Sequence, residues 1–139
     1  MKVKDIMTQS VVRIGQEEPV AVAARALTHY NIGALPVCDE KGRLCGIVTD
    51  RDIVTRCLAA GMEPSQTRVK QVMTGSVKTI DLETDAAEAA RVMGSNQIRR
   101  LPVTEKGKIC GILSLGDLSR NEKAGNALTR ISKNRSDRN

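Results

Sequence analysis

The chain repeats itself. At a shift of 66 residues "VKDIMTQSVVRI" (3–14) falls on "VKQVMTGSVKTI" (69–80), "AVAARAL" (21–27) on "AEAARVM" (87–93), and "IGALPV" (32–37) on "IRRLPV" (98–103). One residue is lost in a turn, after which "KGRLCGIVT" (41–49) falls on "KGKICGILS" (106–114). A repeat running through whole units constrains the fold more than any single motif, because both copies must form the same supersecondary structure. A unit of about 60 residues buries too little surface to be comfortable alone, so two copies are expected to share their burial.

Each copy has the same order of local signals. "SVVRI" and "SVKTI" are β-branched runs that predict strands. Val20, Ala23, Ala24 and Leu27 follow helical spacing, as do Ala86, Ala89, Ala90 and Met93, while Arg25 and Arg91 fall off the apolar stripe. Pro19 suits a first helical turn, and Asp85 with Glu88 suits a capping pair. "ALPV" and "RLPV" predict second strands, with Pro36 and Pro102 at a sheet edge or strand start, where a missing N–H is tolerated. "DEKG" (39–42) and "EKG" (105–107) predict tight turns with glycine at positive φ. Third strands follow, then a helix from Asp50 to about Ala60 that Gly61 ends. The fold class is α/β (α+β): two tandem β-α-β-β-α repeats, expected to pack about an approximate two-fold axis with a cleft on each side. The boundaries are 1–61 for the first repeat, 62–68 for a linker, 69–120 for the second repeat and 121–139 for a basic polar tail, expected to be flexible.

With one Tyr, no Phe and no Trp, the core must be aliphatic, and single-stranded nucleic acid would lack stacking platforms. The net charge of +6 is concentrated at the end of the chain. Arg120, Lys123, Arg130, Lys133, Arg135 and Arg138 stand there against Glu122 and Asp137, which accounts for four of the six charges. No apolar run approaches the roughly 18 residues of a membrane span, and "MKVKDIMTQS" lacks the apolar region of a signal peptide, so a soluble, cytoplasmic protein is expected. Cys38, Cys45, Cys57 and Cys110 form no C-x-x-C pair and read as buried thiols rather than a disulfide framework or zinc site.

Both copies end their third strand in a hydroxyl followed three residues later by a carboxylate, Thr49 with Asp52 and Ser114 with Asp117. One explanation is local: the carboxylates stabilise the first turn of a helix. The other is a ligand. A charged acceptor beside a hydroxyl is a pair that can hold a polar ligand. Repetition of the pair favours the second explanation.

The motifs "DIMT" and "QVMT", "IGALPV" and "IRRLPV", "GIVTDRDI" and "GILSLGDL" together resemble tandem CBS domains, the Bateman module, over roughly residues 1 to 120. The likeness is to small stand-alone bacterial CBS pairs. That resemblance implies clefts for adenosine-containing ligands: AMP, ADP, ATP, NAD or S-adenosylmethionine. Carried over residue by residue, Ser114, Asp117, Arg99 and Arg100 serve ribose and phosphate in one cleft, lined by Thr8, Val12, Ile32, Gly33 and Ile112. Thr49, Asp52 and Arg51 serve the other with Thr74, Lys78 and Ile98. The first copy has Gly33 and Ala34 where the second has Arg99 and Arg100, so AMP is expected chiefly at Asp117.

Nothing in the sequence favours catalysis. The one histidine, His29, falls at a helix end without an evident partner, and no P-loop or H-E-x-x-H appears. Asp50 beside Asp52 is a weak magnesium signal, and no metal site is assigned. The expected function is a non-catalytic sensor with no required cofactor, forming a homodimer that acts on a regulated protein partner. The alternatives are a ligand-independent scaffold and, less favoured, a nucleic-acid-binding regulator using the tail.

Overall fold

The structure, a computed structural model, describes residues 1–120; the tail expected at 121–139 lies outside them. Two compact units are present, one of Val12–Val77 and one in which Met1–Val11 joins the chain from Lys78 onward. Among the described residues the fold is mixed α/β, with two three-stranded sheets and four α-helices.

In the Val12–Val77 unit, β1 (Ile14–Gly15), α1 (Val20–Tyr30), β2 (Ala34–Cys38), β3 (Leu44–Thr49) and α2 (Asp50–Ile53) follow in order. The sheet order is β1-β2-β3, with β1 parallel and β3 antiparallel to β2. Helix α1 buries Val20, Ala23 and Leu27 and leaves Arg25 exposed, as the stripe predicts. Beyond Ile53 the helix widens into a π turn over Val54–Leu58, and Gly61 ends it at φ +76°.

The unit is completed by the segment after the predicted linker. Val69 and Val72 are fully buried in one core with Leu35, Val37, Val48 and Cys57. Burying a side chain of this size contributes about 1.5–3 kcal/mol relative to exposure. The predicted linker contributes one buried residue. Thr67 is 4% exposed, and its carbonyl accepts the Val20 N–H that opens α1.

The second unit repeats this plan with β4 (Ile80–Asp81), α3 (Ala86–Asn96), β5 (Arg100–Glu105), β6 (Lys108–Ser114) and α4 (Leu115–Ser119). Its sheet order is β4-β5-β6. Here the completing segment is the chain's first eleven residues, with Val3 fully buried against Met93, Leu101 and Leu113. The Met1 carbonyl accepts the Ala86 N–H, as Thr67 serves Val20 in the other unit.

That contact corrects two expectations about helix starts. Pro19 is the N-cap of α1 rather than a first-turn residue, and Asp85 caps α3 without a side-chain hydrogen bond. The first N–H of α1 and of α3 is taken by a distant backbone carbonyl, of Thr67 or Met1, leaving Asp85 to pair with Lys2 and Glu88 with Arg91.

The first strands are two residues long, much shorter than "SVVRI" and "SVKTI" suggest. The prolines account for this. Pro36 and Pro102 sit inside the central strands β2 and β5, not at an edge, facing Ile47 and Ile112. Those isoleucines exchange backbone hydrogen bonds outward with Thr74 and Thr8, so each proline turns its nitrogen toward β1 or β4. With no N–H to give there, pairing stops at Val37 and Val103.

The turns are as expected, with Gly42 at φ +81° and Gly107 at φ +82°. All four cysteines are free, Cys38 and Cys57 buried and the other two half-buried. Cys45 donates its S–H to the Val37 carbonyl and Cys110 to the Val103 carbonyl, at equivalent places in the two copies. Burial pushes the Cys38, Cys45 and Cys110 thiols up, Arg13 partly opposing it at Cys38. The folded chain should therefore react slowly with iodoacetamide near neutral pH, and all four thiols should label once it is unfolded in urea. Rapid labelling of Cys45 or Cys110 in the folded chain would contradict their packing.

Each completing segment lies on a buried glycine. A Cβ on Gly46 would come within 2.6 Å of the Met73 sulfur and 2.8 Å of the Thr74 carbonyl oxygen. At Gly111 it would meet the Met7 sulfur and stand 3.0 Å from the Thr8 carbonyl oxygen. Gly46→Ala and Gly111→Ala should each cost about 1–3 kcal/mol in urea unfolding, through overpacking against backbone that cannot yield. An unchanged midpoint in either variant would show that the segment is not held by this contact.

Candidate functional site

The hydroxyl and carboxylate at each strand-to-helix junction form a capping box. Thr49 Oγ1 accepts the Asp52 N–H at 3.0 Å, and Asp52 Oδ2 accepts the Thr49 N–H at 3.0 Å. At the other junction Ser114 Oγ accepts the Asp117 N–H at 3.0 Å, and Asp117 Oδ2 accepts the Ser114 N–H at 2.8 Å. The spacing thus has a local cause, two backbone donors satisfied reciprocally at a helix start. It commits one oxygen of each carboxylate and leaves Oδ1 for other donors.

The two Oδ1 atoms meet different arginines. Asp117 Oδ1 accepts a hydrogen bond from Arg120 Nη2 at 2.5 Å. Asp52 Oδ1 is ion-paired with Arg56 Nε at 3.9 Å, while Arg56 Nη1 donates to the Val72 and Met73 carbonyls at 3.2 Å. The carboxylates are well covered, their side chains 13% exposed at Asp52 and 9% at Asp117. A charge so covered is retained where hydrogen bonds satisfy it.

Around Asp117 one unit brings together much of the expected set. Arg100, exposed, stands opposite Ser114 in the β5–β6 register, and the Arg99 carbonyl accepts the Leu115 N–H at 2.8 Å. Thr8 exchanges backbone hydrogen bonds with the half-buried Ile112, both at 2.9 Å. Ile98 and Lys78 belong to this unit too, half-buried and exposed. The Val12–Val77 unit holds Thr49, Asp52 and the exposed Arg51, together with Thr74, which bonds Ile47. It also holds Val12, Ile32 and Gly33, which the sequence reading groups with Asp117, whereas Lys78 and Ile98, grouped there with Asp52, lie in the other unit. Gly33 and Ala34 occupy the places of Arg99 and Arg100: the Gly33 carbonyl accepts the Asp50 N–H, and Ala34 stands opposite Thr49.

Sequence reasoning missed Arg56 and Arg120. The repeat gives no signal for them, since the alignment sets Arg120 on Thr55 and Arg56 on Asn121. Among the described residues no group of three or more His, Cys, Asp or Glu side chains could hold a metal ion, and no helix is long and apolar enough to cross a membrane. His29 is exposed and packs edge-on against Tyr30.

The capping box fixes how these carboxylates can be tested. Ser114→Ala removes the cap acceptor and should cost about 1 kcal/mol of stability in denaturant unfolding, whether or not any ligand is present. Asparagine at 52 or 117 keeps an oxygen for the cap while removing the charge, so it separates binding from folding where alanine would not. A Ser114→Ala chain as stable as the parent would show that the box carries no stability.

The CBS domain family model matches twice, over residues 3–59 and 69–123. The CBS domain-containing protein YhcV of Bacillus subtilis is 40% identical over 134 residues, covering 94% of both chains. Hypoxic response protein 1 of Mycobacterium tuberculosis is 36% identical over 117 residues, covering 84% of this chain and 82% of its own. A crystal structure of Hypoxic Response Protein I with two coordinated zinc ions superposes with a TM-score of 0.76 at 34% identity, covering 87% of this chain and 98% of that one. A CBS domain pair solved in complex with 5′-methylthioadenosine and S-adenosyl-L-methionine superposes at 0.69 with 30% identity, covering 86% and 94%.

Proposed function

The chain belongs to the CBS domain family, and from that premise we propose that it is a non-catalytic sensor of adenosine-containing ligands, with AMP preferred, whose main site is built on Asp117. The observation that carries this reading is the company Asp117 keeps. A covered carboxylate with one oxygen committed to its cap stands beside Ser114, and Arg100 pairs across the sheet with Ser114 while Arg99 bonds Leu115. A carboxylate for a ribose diol and two arginines for a phosphate is a donor and acceptor set suited to a nucleoside monophosphate. A relative of known structure held two adenosine compounds, which supports the ligand class.

In this reading Thr49, Arg51 and Asp52 form a second, weaker site, with Gly33 and Ala34 in place of the arginine pair. Ile98 and Ile112 in the unit of Asp117, and Val12 and Ile32 in that of Asp52, supply apolar surface for adenine. Thr8 and Lys78 belong with the first of these units, Thr74 and Gly33 with the second. The ligand shifts a conformational or assembly equilibrium of a cytoplasmic homodimer, and through it a protein partner. Exposed Val54 and Leu58 on the π turn after α2 are consistent with a further subunit contact. A scaffold indifferent to ligands remains the competing class, and ligand-dependent melting separates the two.

AMP should bind at least tenfold tighter than adenosine, since a charge-assisted arginine–phosphate contact gains roughly 1.5–3 kcal/mol. Calorimetry on the full chain decides it. Arg99→Ala with Arg100→Ala should remove most of the AMP preference while sparing adenosine. Equal affinities for AMP and adenosine in the unmodified chain would sink the phosphate role of the pair. No binding of AMP, ADP, ATP, NAD or S-adenosylmethionine would return the protein to the scaffold class.

A further inference from the structure

The two carboxylates are chemically equivalent at their caps and unlike at their remaining oxygen. At Asp52 the neighbouring arginine is engaged elsewhere: Arg56 Nη1 holds two backbone carbonyls, and its Nε stays 3.9 Å from Oδ1. At Asp117 the neighbouring arginine is engaged on the carboxylate itself, Arg120 Nη2 lying 2.5 Å from Oδ1. The difference follows from sequence. Arg120 is three residues after its aspartate and Arg56 four after its own. The residue before Asp117 is Gly116, over which the Arg120 guanidinium folds back: a Cβ there would stand 3.5 Å from Nη1. The corresponding residue before Asp52 is Arg51.

This arrangement bears on what the Asp117 site can accept. Oδ2 accepts the Ser114 N–H and Oδ1 the Arg120 guanidinium, so a ribose diol that spans both oxygens competes with Arg120 for the lone pairs of Oδ1. The guanidinium only donates, so where it and a ribose hydroxyl contend for the same lone pair it has to shift. A displaced arginine one turn away stays beside the ligand. An anionic substituent accepts it in a charge-assisted bond, which a bare nucleoside does not offer and a cationic sulfonium opposes. We propose that Arg120 is a specificity-determining residue of the Asp117 site, holding the oxygen a ribose needs and so selecting adenosine ligands that carry an anionic group. The inference rests on the nucleotide-sensor reading and adds to it a basis for selection distinct from Arg99 and Arg100. Those two raise affinity for the phosphate; Arg120 lowers affinity for ligands without one. Because the Arg120 side chain is 74% exposed, the ion pair is worth little and its effect on affinity is modest.

The test is calorimetry of adenosine and AMP on the full chain, on Arg120→Ala and Arg120→Gln, and on each combined with Asp117→Asn. Removing the guanidinium should raise adenosine affinity about three- to fivefold and leave AMP within about twofold, narrowing the ratio from the nucleoside side. Arg99→Ala with Arg100→Ala narrows it from the other side, by weakening AMP. In the unmodified chain adenosine should bind better as salt rises, because screening loosens the Arg120–Asp117 pair, and this trend should vanish in Arg120→Ala. In the Asp117→Asn background neither Arg120 substitution should help adenosine. A change of adenosine and AMP affinity by the same factor, or a gain that persists with Asp117→Asn, would overturn the inference and leave the sensor reading standing. Failure of adenosine and AMP to bind any variant would remove the AMP preference on which the sensor reading is built, and this inference with it.

Discussion

A three-stranded sheet leaves the outer edge of its last strand unpaired, and in both units a segment distant in sequence covers that edge. Thr74 exchanges two backbone hydrogen bonds with Ile47, and Thr8 does the same with Ile112. The covering segment also fills the core with Val69 and Val72, or with Val3, and a distant carbonyl, of Thr67 or Met1, receives the first N–H of the long helix. The covered edge requires one close approach, that of a methionine side chain and a threonine carbonyl to a strand glycine. A Cβ at that glycine would press on both at once. The glycine is needed here for space rather than for backbone freedom, since neither Gly46 nor Gly111 has positive φ.

The same strands that carry the glycines end in the capping boxes, so fold and site share residues. Asp52 and Asp117 each satisfy a backbone donor and still present a second oxygen. A carboxylate has capacity for about four hydrogen bonds, so the structural and ligand roles do not compete for the same lone pairs. The cap holds the carboxylate in one orientation, which lowers the ordering cost of any contact made by the remaining oxygen. A stabilising role and a binding role for these aspartates are therefore compatible readings of one geometry.

Much of this was legible in the sequence because the repeat doubled each signal. The helix stripes, the turn glycines and the matched Cys45 and Cys110 all sit at equivalent positions in the two units. What escaped the sequence depends on contacts made by distant backbone. β-branched "SVVRI" reads as a strand by composition, but its partner strand carries Pro36 with the nitrogen turned toward it. Asp85 reads as a cap by residue type, but the Met1 carbonyl already serves the first N–H of α3. Compact units that draw on both ends of the repeat are invisible to an alignment that places each leader with the residues following it. The residues expected at ribose and phosphate were read from motif and resemblance; the fold sets Arg100 opposite Ser114 and bonds the Arg99 carbonyl to the Leu115 N–H.

Arg120 shows where repeat logic reaches its limit. Counted by sequence it is one of the charges gathered at the end of the chain; by structure it is the partner of a covered carboxylate. A one-residue offset against Arg56 sends the two guanidiniums to different acceptors, a carboxylate oxygen in one unit and a pair of carbonyls in the other. Duplication keeps the capping box, because the box is local and its geometry tolerates no offset. It does not keep the arginines, because a long side chain three or four residues on can find whichever acceptor lies nearest. The two junctions thus share the residues that make the helix start and differ in the arginine that meets the carboxylate. That separation lets one repeated fold present two chemically unlike carboxylates.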